Sequence, residues 1–327
     1  MQIRSCFATV ALAFTMALPA TALAQKKTYQ MLVPFAPTHA LHDVATLFVG
    51  LVNERFDGRY RINLVGTDVI PGFEQFDPVS SGVFPMALAT GPYHSGATGV
   101  GLAADAVDAD PQKRRDTGIW DAYRDYYLTH DVRMISFPSA SPGYHFMLAK
   151  PIGDDGGFQG RIVRGTLTYH GPINAFGGSP SVMPVSEIYT SAERGVIDGA
   201  GHNIFGNHQL GLHEVLPHLV RPGFGTTSMM VVFNEDAWQD VPEADQKIFL
   251  EIGRELEDAS LAHYNKLIAD ETVLMEKAGA KVTELGPEQA AKIDEAFANG
   301  VWGEAIRLSG EPAERIRKLA QDAGMTY

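Results

Sequence analysis

The sequence predicts an α/β fold of two domains with largely parallel sheets, and three observations carry this. Short apolar stretches rich in β-branched and aromatic residues alternate along the chain with segments of helical period. About 300 residues remain once an N-terminal export segment is set aside, more than one hydrophobic core usually serves. No internal repeat and no low-complexity tract interrupts the alternation.

The export segment is Met1–Ala24. Arg4 supplies a positive start, Phe7–Leu18 is an apolar run too short to span a membrane, and Ala22-Leu23-Ala24 is an A-x-A cleavage site before Gln25. The expected location is periplasmic, with cleavage after Ala24. The one cysteine, Cys6, lies inside this leader, so the mature chain is expected to have no disulfide, thiol nucleophile or zinc thiolate. No later stretch reaches the roughly 18–20 apolar residues of a membrane-spanning helix. The net charge of −13 argues against nucleic acid or an anionic membrane as a partner.

Taken in order, Tyr29–Phe35 reads as an apolar strand ended by Pro34 and Pro37. Thr38 is the expected cap of a helix in which Leu41, Val44, Phe48, Leu51, Val52 and Phe56 recur with helical period, closed by Asp57-Gly58. Arg59–Val65 alternates as a strand does, Phe73–Val79 reads as a short helix, and Val83–Thr90 as a buried strand. Ligands gather beyond strand ends in such sheets, which singles out Tyr93 and His94 as a pocket wall, an aromatic face with polar tips; the bland reading is an ordinary loop pair. Ala103–Thr129 is polar and acidic, expected as one or two helices on the outer face with two aromatic anchors, the candidates being Trp120, Tyr123, Tyr126 and Tyr127. Leu128–Phe137 leads into a strand, and Gly143–Ile152 reads as another.

The most informative run is Phe158 to Asn203. Gly160–Leu167 reads as a strand with one arginine, Arg164, among apolar residues; Gly171-Pro172 is expected to break it before a helical segment over Ile173–Phe176. Ser181–Pro184 is extended, Ser186 is the expected cap of a helix over Glu187–Arg194, and Val196–Gly199 opens a further extended piece. A guanidinium offers a planar fork that matches both oxygens of a carboxylate and keeps its charge, so Arg164 shielded from water would fix a ligand's orientation and charge class. A solvated edge residue is the alternative.

The spelling of this run resembles the substrate-binding proteins of tripartite ATP-independent periplasmic (TRAP) transporters, DctP type. The matches are Phe158, Gly160, Val163 and Arg164, then Gly178, Pro180 and Val182-Met183-Pro184. Glu187, Tyr189 and Arg194 through Gly199 complete them. Further on, Asn234, Ala237 and Trp238 resemble that family's N-x-x-x-W, and Pro242–Lys247 its P-E-E-D-Q-K. The resemblance implies a two-lobed periplasmic binding protein fold, with a cleft between the lobes and a long strut helix, here expected from Pro242 to Ala278. Pro287–Ser309 and Pro312–Ala323 are the closing helices. The implied division is a leader at 1–24, lobe I from 25–146 plus 228–270, and lobe II from 147–227 plus 271–327.

The resemblance also assigns the site. It places Arg164 on the ligand carboxylate, His145 where many relatives have a second arginine, Asn203 where an asparagine supplies an amide, and Phe224 against the ligand. Phe224 falls in Arg221–Gly225, which reads as a turn. Met183 and His202 complete the set with Tyr93 and His94. Relatives that bind a 2-oxo acid through a metal ion carry Glu-Trp where this chain has Gly201-His202, so no cation and no other cofactor is expected. His202, His208, His213 and His218 do not share a helix face, and surface or loop roles are expected for them. A single fixed positive charge favours a monocarboxylate ligand. The function implied is a solute receptor, not an enzyme: it closes on a small organic acid and hands it to the small and large membrane subunits of a TRAP permease. The alternatives are a ligand-binding partner of a signalling receptor, or a periplasmic hydrolase, for which no G-x-S-x-G, H-E-x-x-H or P-loop pattern appears.

Overall fold

A computed structural model describes residues 26–153 and 156–326. The expected leader, with Cys6 and its cleavage site, lies outside the described residues. The first half runs β1 (Lys27–Leu32), α1 (Asp43–Phe56), β2 (Tyr60–Val65), α2 (Phe76–Ser80), β3 (Met86–Ala89), α3 (Val100–Ala103), α4 (Pro111–Asp116), α5 (Ile119–Leu128), β4 (Val132–Ser136), β5 (Ser139–Ala140) and β6 (Tyr144–Leu148). The second half runs β7 (Ile162–Arg164), α6 (Leu167–Ala175), β8 (Ser179–Ser181), α7 (Ile188–Glu193), β9 (Gly199–Asn203), α8 (Leu212–Val215), β10 (His218–Phe224), β11 (Thr227–Ser228), β12 (Met230–Asn234), α9 (Glu235–Gln239), α10 (Glu243–Lys277), β13 (Lys281–Glu284), α11 (Pro287–Ser309) and α12 (Glu311–Asp322).

These strands form two main sheets, one per lobe. The first has the order β2-β1-β3-β12-β4 and the second β13-β10-β6-β9-β7-β8. In the first sheet β2, β1 and β3 are parallel, and β12 returns antiparallel between β3 and β4. The apolar face of α1 (Val44, Phe48, Val52, Phe56) is buried against this sheet with Met31, Val33, Met86 and Leu88. This is the packing that its helical period predicts. Between the lobes, β5 pairs with β11 as a two-stranded crossing. The expected boundaries at 146/147 and 227/228 therefore fall inside β6 and β11.

Two local expectations are corrected. The strand at Arg164 is short, and a helix, α6, begins at Leu167 and carries Pro172 inside it. Gly171 does not break the element; a Cβ there would lie 2.2 Å from Ala296 O, so this glycine lets α6 cross close to α11. Arg221–Gly225 is mostly strand rather than turn, β10 continuing through Pro222 with a register shift between Val220 and Phe224. The tyrosines of α5 serve as the expected anchors, Tyr123 and Tyr127 being fully buried with Ile119 and Val132. Finally, α12 packs on α5 and α3 of the first lobe, although its chain position places it in the second.

Candidate functional site

Between the two sheets lies a cleft lined by residues of both lobes. Tyr93 follows β3 of the first lobe, while Arg164 ends β7 and His202 and Asn203 end β9 of the second; all four face this space. Phe35, His39, Tyr144, Thr166, Tyr169, Val185 and Thr227 complete most of the wall.

Arg164 is 3% exposed. Its Nε and Nη2 donate to Met183 O at 3.0 and 2.8 Å, and its Nη1 donates to Gly201 O at 2.9 Å. Two backbone carbonyls thus aim the guanidinium, and Tyr93 lines the same cleft. Among the described residues no carboxylate pairs with Arg164. A buried cation without an internal anion is costly unless hydrogen-bonded, and it is the kind of group that an incoming anion compensates.

Met183 contributes its carbonyl rather than its side chain. Asn203 is held by Nδ2 bonds to Thr227 Oγ1 at 2.6 Å and Gly143 O at 3.5 Å. His202 meets His39 of the opposite lobe, Nε2 to Nε2, at 3.4 Å. Burial, then the neighbouring Arg164 charge, push the His202 pKa down to about 4, and burial, His202 and Arg164 push His39 well below the usual histidine range. At neutral pH both rings are uncharged, and Arg164 is the fixed charge of the cavity.

Four of the expected site residues do not line it, Met183 and three more. His145 is fully buried behind the wall, its ring between Asn207 and Arg221. His94 turns away from the cleft to bond Tyr127 OH at 2.6 Å and stack on Phe76. Phe224 sits one layer down in an aromatic cluster with Tyr144, Phe146 and Phe297. A side chain at Gly201 would meet the Tyr169 ring 2.3 Å from its Cβ, so the aromatic wall occupies the space that the relatives' glutamate would need. Among the described residues no group of three or more metal-ligating side chains comes together.

Sequence reasoning missed His39 and Tyr144. Thr38 was the expected cap, but the His39 ring takes that role, accepting from Leu41 N at 3.1 Å. Tyr144 is the neighbour of the residue singled out, and it pairs across the sheet with Asn203. Behind Tyr144 lies Asp105, also unforeseen: Tyr144 OH donates to Asp105 Oδ2 at 2.7 Å.

Two α/β lobes that enclose a small polar cavity with one buried arginine define a solute-binding protein. The comparisons agree. Residues 110–306, more than half of the chain, match the bacterial extracellular solute-binding protein family 7, DctP, and the chain belongs to that family. It is 31% identical over 147 residues to the ectoine-binding periplasmic protein TeaA of Halomonas elongata, a match covering 43% of this chain and 42% of that protein. The chain thus spans less than half the length of that relative. It is 26% identical over 262 residues to the monocarboxylate 2-oxoacid-binding periplasmic protein of Nostoc sp. PCC 7120, covering 74% and 70%. In fold it is similar to a TRAP periplasmic solute-binding protein of Desulfovibrio salexigens with bound orotic acid, with TM-score 0.80, 20% identity, and 90% and 98% of the two chains covered.

Proposed function

We propose that this chain is the periplasmic solute receptor of a TRAP transporter, exported by cleavage after Ala24, and that it binds a small monocarboxylate in the cleft and presents it to the two membrane subunits of the permease. The observation that carries this reading is Arg164: buried, aimed by two carbonyls, and without an internal anion. Family membership supports the receptor class, and the Nostoc relative, a monocarboxylate 2-oxoacid-binding protein, agrees with a single carboxylate. The cleft's charge inventory narrows the ligand. One permanent cation balances one carboxylate, and the wall offers no second cation for a dicarboxylate and no anion for the ammonium of an amino acid. Phe35, Tyr93, Tyr144 and Tyr169 would embrace an apolar or planar body.

Thermal unfolding against a panel of organic acids tests this, in wild type and Arg164→Ala. A ligand at ~100 times its dissociation constant adds about 2.7 kcal/mol, a rise of several degrees in the midpoint. The expected result is stabilisation by a monocarboxylate, absent with the matching dicarboxylate, and lost in the variant. Stabilisation that survives Arg164→Ala would remove Arg164 from the site.

A further inference from the structure

We propose that His39 and His202 form a latch between the lobes that holds the cleft closed only while both imidazoles are neutral, so that acid opens the receptor. The device goes beyond the receptor reading above and rests on it only in that opening and closing are what such a receptor does.

The hydrogen bonds settle where each proton sits. Leu41 N donates to His39 Nδ1 at 3.1 Å, so that nitrogen is an acceptor and the proton of the neutral ring is on Nε2. At the other end, Asn207 Nδ2 donates to Asn203 O at 2.9 Å, which orients the amide and leaves Asn207 Oδ1 as acceptor for His202 Nδ1–H at 2.8 Å. His202 Nε2 is then an acceptor, and it faces the one donor left on His39, at 3.4 Å. The line Leu41, His39, His202, Asn207 thus runs with every nitrogen matched, across two segments 163 residues apart in sequence. The rings are 3% and 2% exposed.

Protonating either ring breaks the line. A proton on His202 Nε2 sets two N–H groups head to head; a proton on His39 Nδ1 faces the Leu41 amide. No neighbour offsets the added charge. His39 is packed by the Phe35 ring at 4.8 Å and is close to His42 and Arg164, all neutral or positive. His202 has Arg164 on one side and Asn207 on another, with His145 beyond it and Arg221 against His145. Glu271, the carboxylate nearest along this network, is engaged by the Asn207 and His208 amides at 2.7 and 2.9 Å. In an open receptor each imidazole regains water and titrates near 6.5. The closed form therefore binds fewer protons than the open one: closure is undiminished above about pH 6.5 and is lost as pH falls. For His202, held at about 4 when closed, the closure constant falls up to tenfold per pH unit over that window, about 300-fold in all.

Small-angle scattering of the unliganded mature protein between pH 7.5 and 4.5 reads this without a ligand, so its outcome is independent of the Arg164→Ala test. The expected result is a radius of gyration that rises through the window in wild type and stays constant in His39→Gln/His202→Gln, whose side chains keep polar contact but do not titrate. The variant comparison separates the latch from Asp105, which also titrates near the lobe crossing. A wild-type radius independent of pH, or a double variant that follows wild type, overturns the proposal. Should the variants not fold, long-range ¹⁵N imidazole NMR of wild type at pH 7.5 decides: Nε2–H on His39 with Nδ1–H on His202 supports the latch, and any other pair of tautomers overturns it.

Discussion

Asp105 shows what a single side chain contributes where the lobes meet. It is fully buried, and Oδ2 accepts from Tyr144 OH at 2.7 Å and Thr168 Oγ1 at 3.2 Å while Oδ1 accepts from Ser228 N at 3.1 Å. Burial outweighs these bonds and pushes its carboxyl up to about 7 from 3.8. The folded chain holds this proton more tightly than the unfolded one, so the stability it contributes is fully present below the unfolded value and is lost as pH rises through about 7. Asp105→Asn supplies a permanent Nδ2–H where the proton sits, facing two hydroxyls able to accept. Urea unfolding of wild type is expected to lose a few kcal/mol from this group between about pH 4 and 8, and the variant to lack that component. Parallel curves for the two proteins would show that Asp105 carries no such linkage. Of this scale the sequence made Arg164 legible, because a cation in an apolar strand is rare and the surrounding spelling is specific. Asp105 and His39 were illegible, because their partners lie far along the chain and only the assembled lobes bring them together.

At the scale of elements, legibility followed period and length. The helices α10 and α11 lie where their apolar spacing and their flanking Gly and Pro residues place them, within a residue or two, while α1 ends at Phe56 as expected but starts only at Asp43, after a 3-10 turn over Ala40–His42. Short pieces failed where punctuation residues were used for packing. Gly171-Pro172 sits inside α6 because the missing side chain admits α11, and Pro222 sits inside β10 at the register shift. Gly253 turns the same lesson into a prediction. In an otherwise regular 35-residue helix, replacing it by alanine gains up to about 1 kcal/mol of helix propensity. Its Cβ, however, would lie 2.0 Å from Ile135 O of β4, and Ser136 Oγ already donates to Gly253 O at 2.7 Å. Strand and helix must separate, so Gly253→Ala is expected to lose about 1–3 kcal/mol net, read as a lower thermal midpoint. A raised midpoint would mean that β4 yields at no cost.

For the whole molecule, α10 is a member that sees both lobes. Its first half buries Phe249, Ile252 and Leu256 in the core of the first sheet, and Glu257 takes Trp120 Nε1 at 3.0 Å, Phe137 N at 2.7 Å and the Arg115 guanidinium. Its second half ends in the second lobe, where Met275 joins Ile188, Leu212 and Leu219. Glu271 lies between, and its Oε1 receives the amides of Asn207 and His208 just after β9. The strut thus holds the residue that orients His202, and His202 meets His39 of the first lobe. Removing the acceptor with Glu271→Ala leaves the buried Asn207 amide and the part-buried His208 amide unmatched, a loss of about 1–3 kcal/mol. Glu271→Gln retains a carbonyl oxygen at the same reach and is expected to lose far less. The two variants also differ in a way that a general loss of packing would not produce. With Asn207 released, the Nδ1–H tautomer of His202 is expected to give way to a mixture in Glu271→Ala, and to persist in Glu271→Gln. Equal unfolding free energies together with an unchanged His202 tautomer in both variants would show that the strut bears on the second lobe through its apolar face alone.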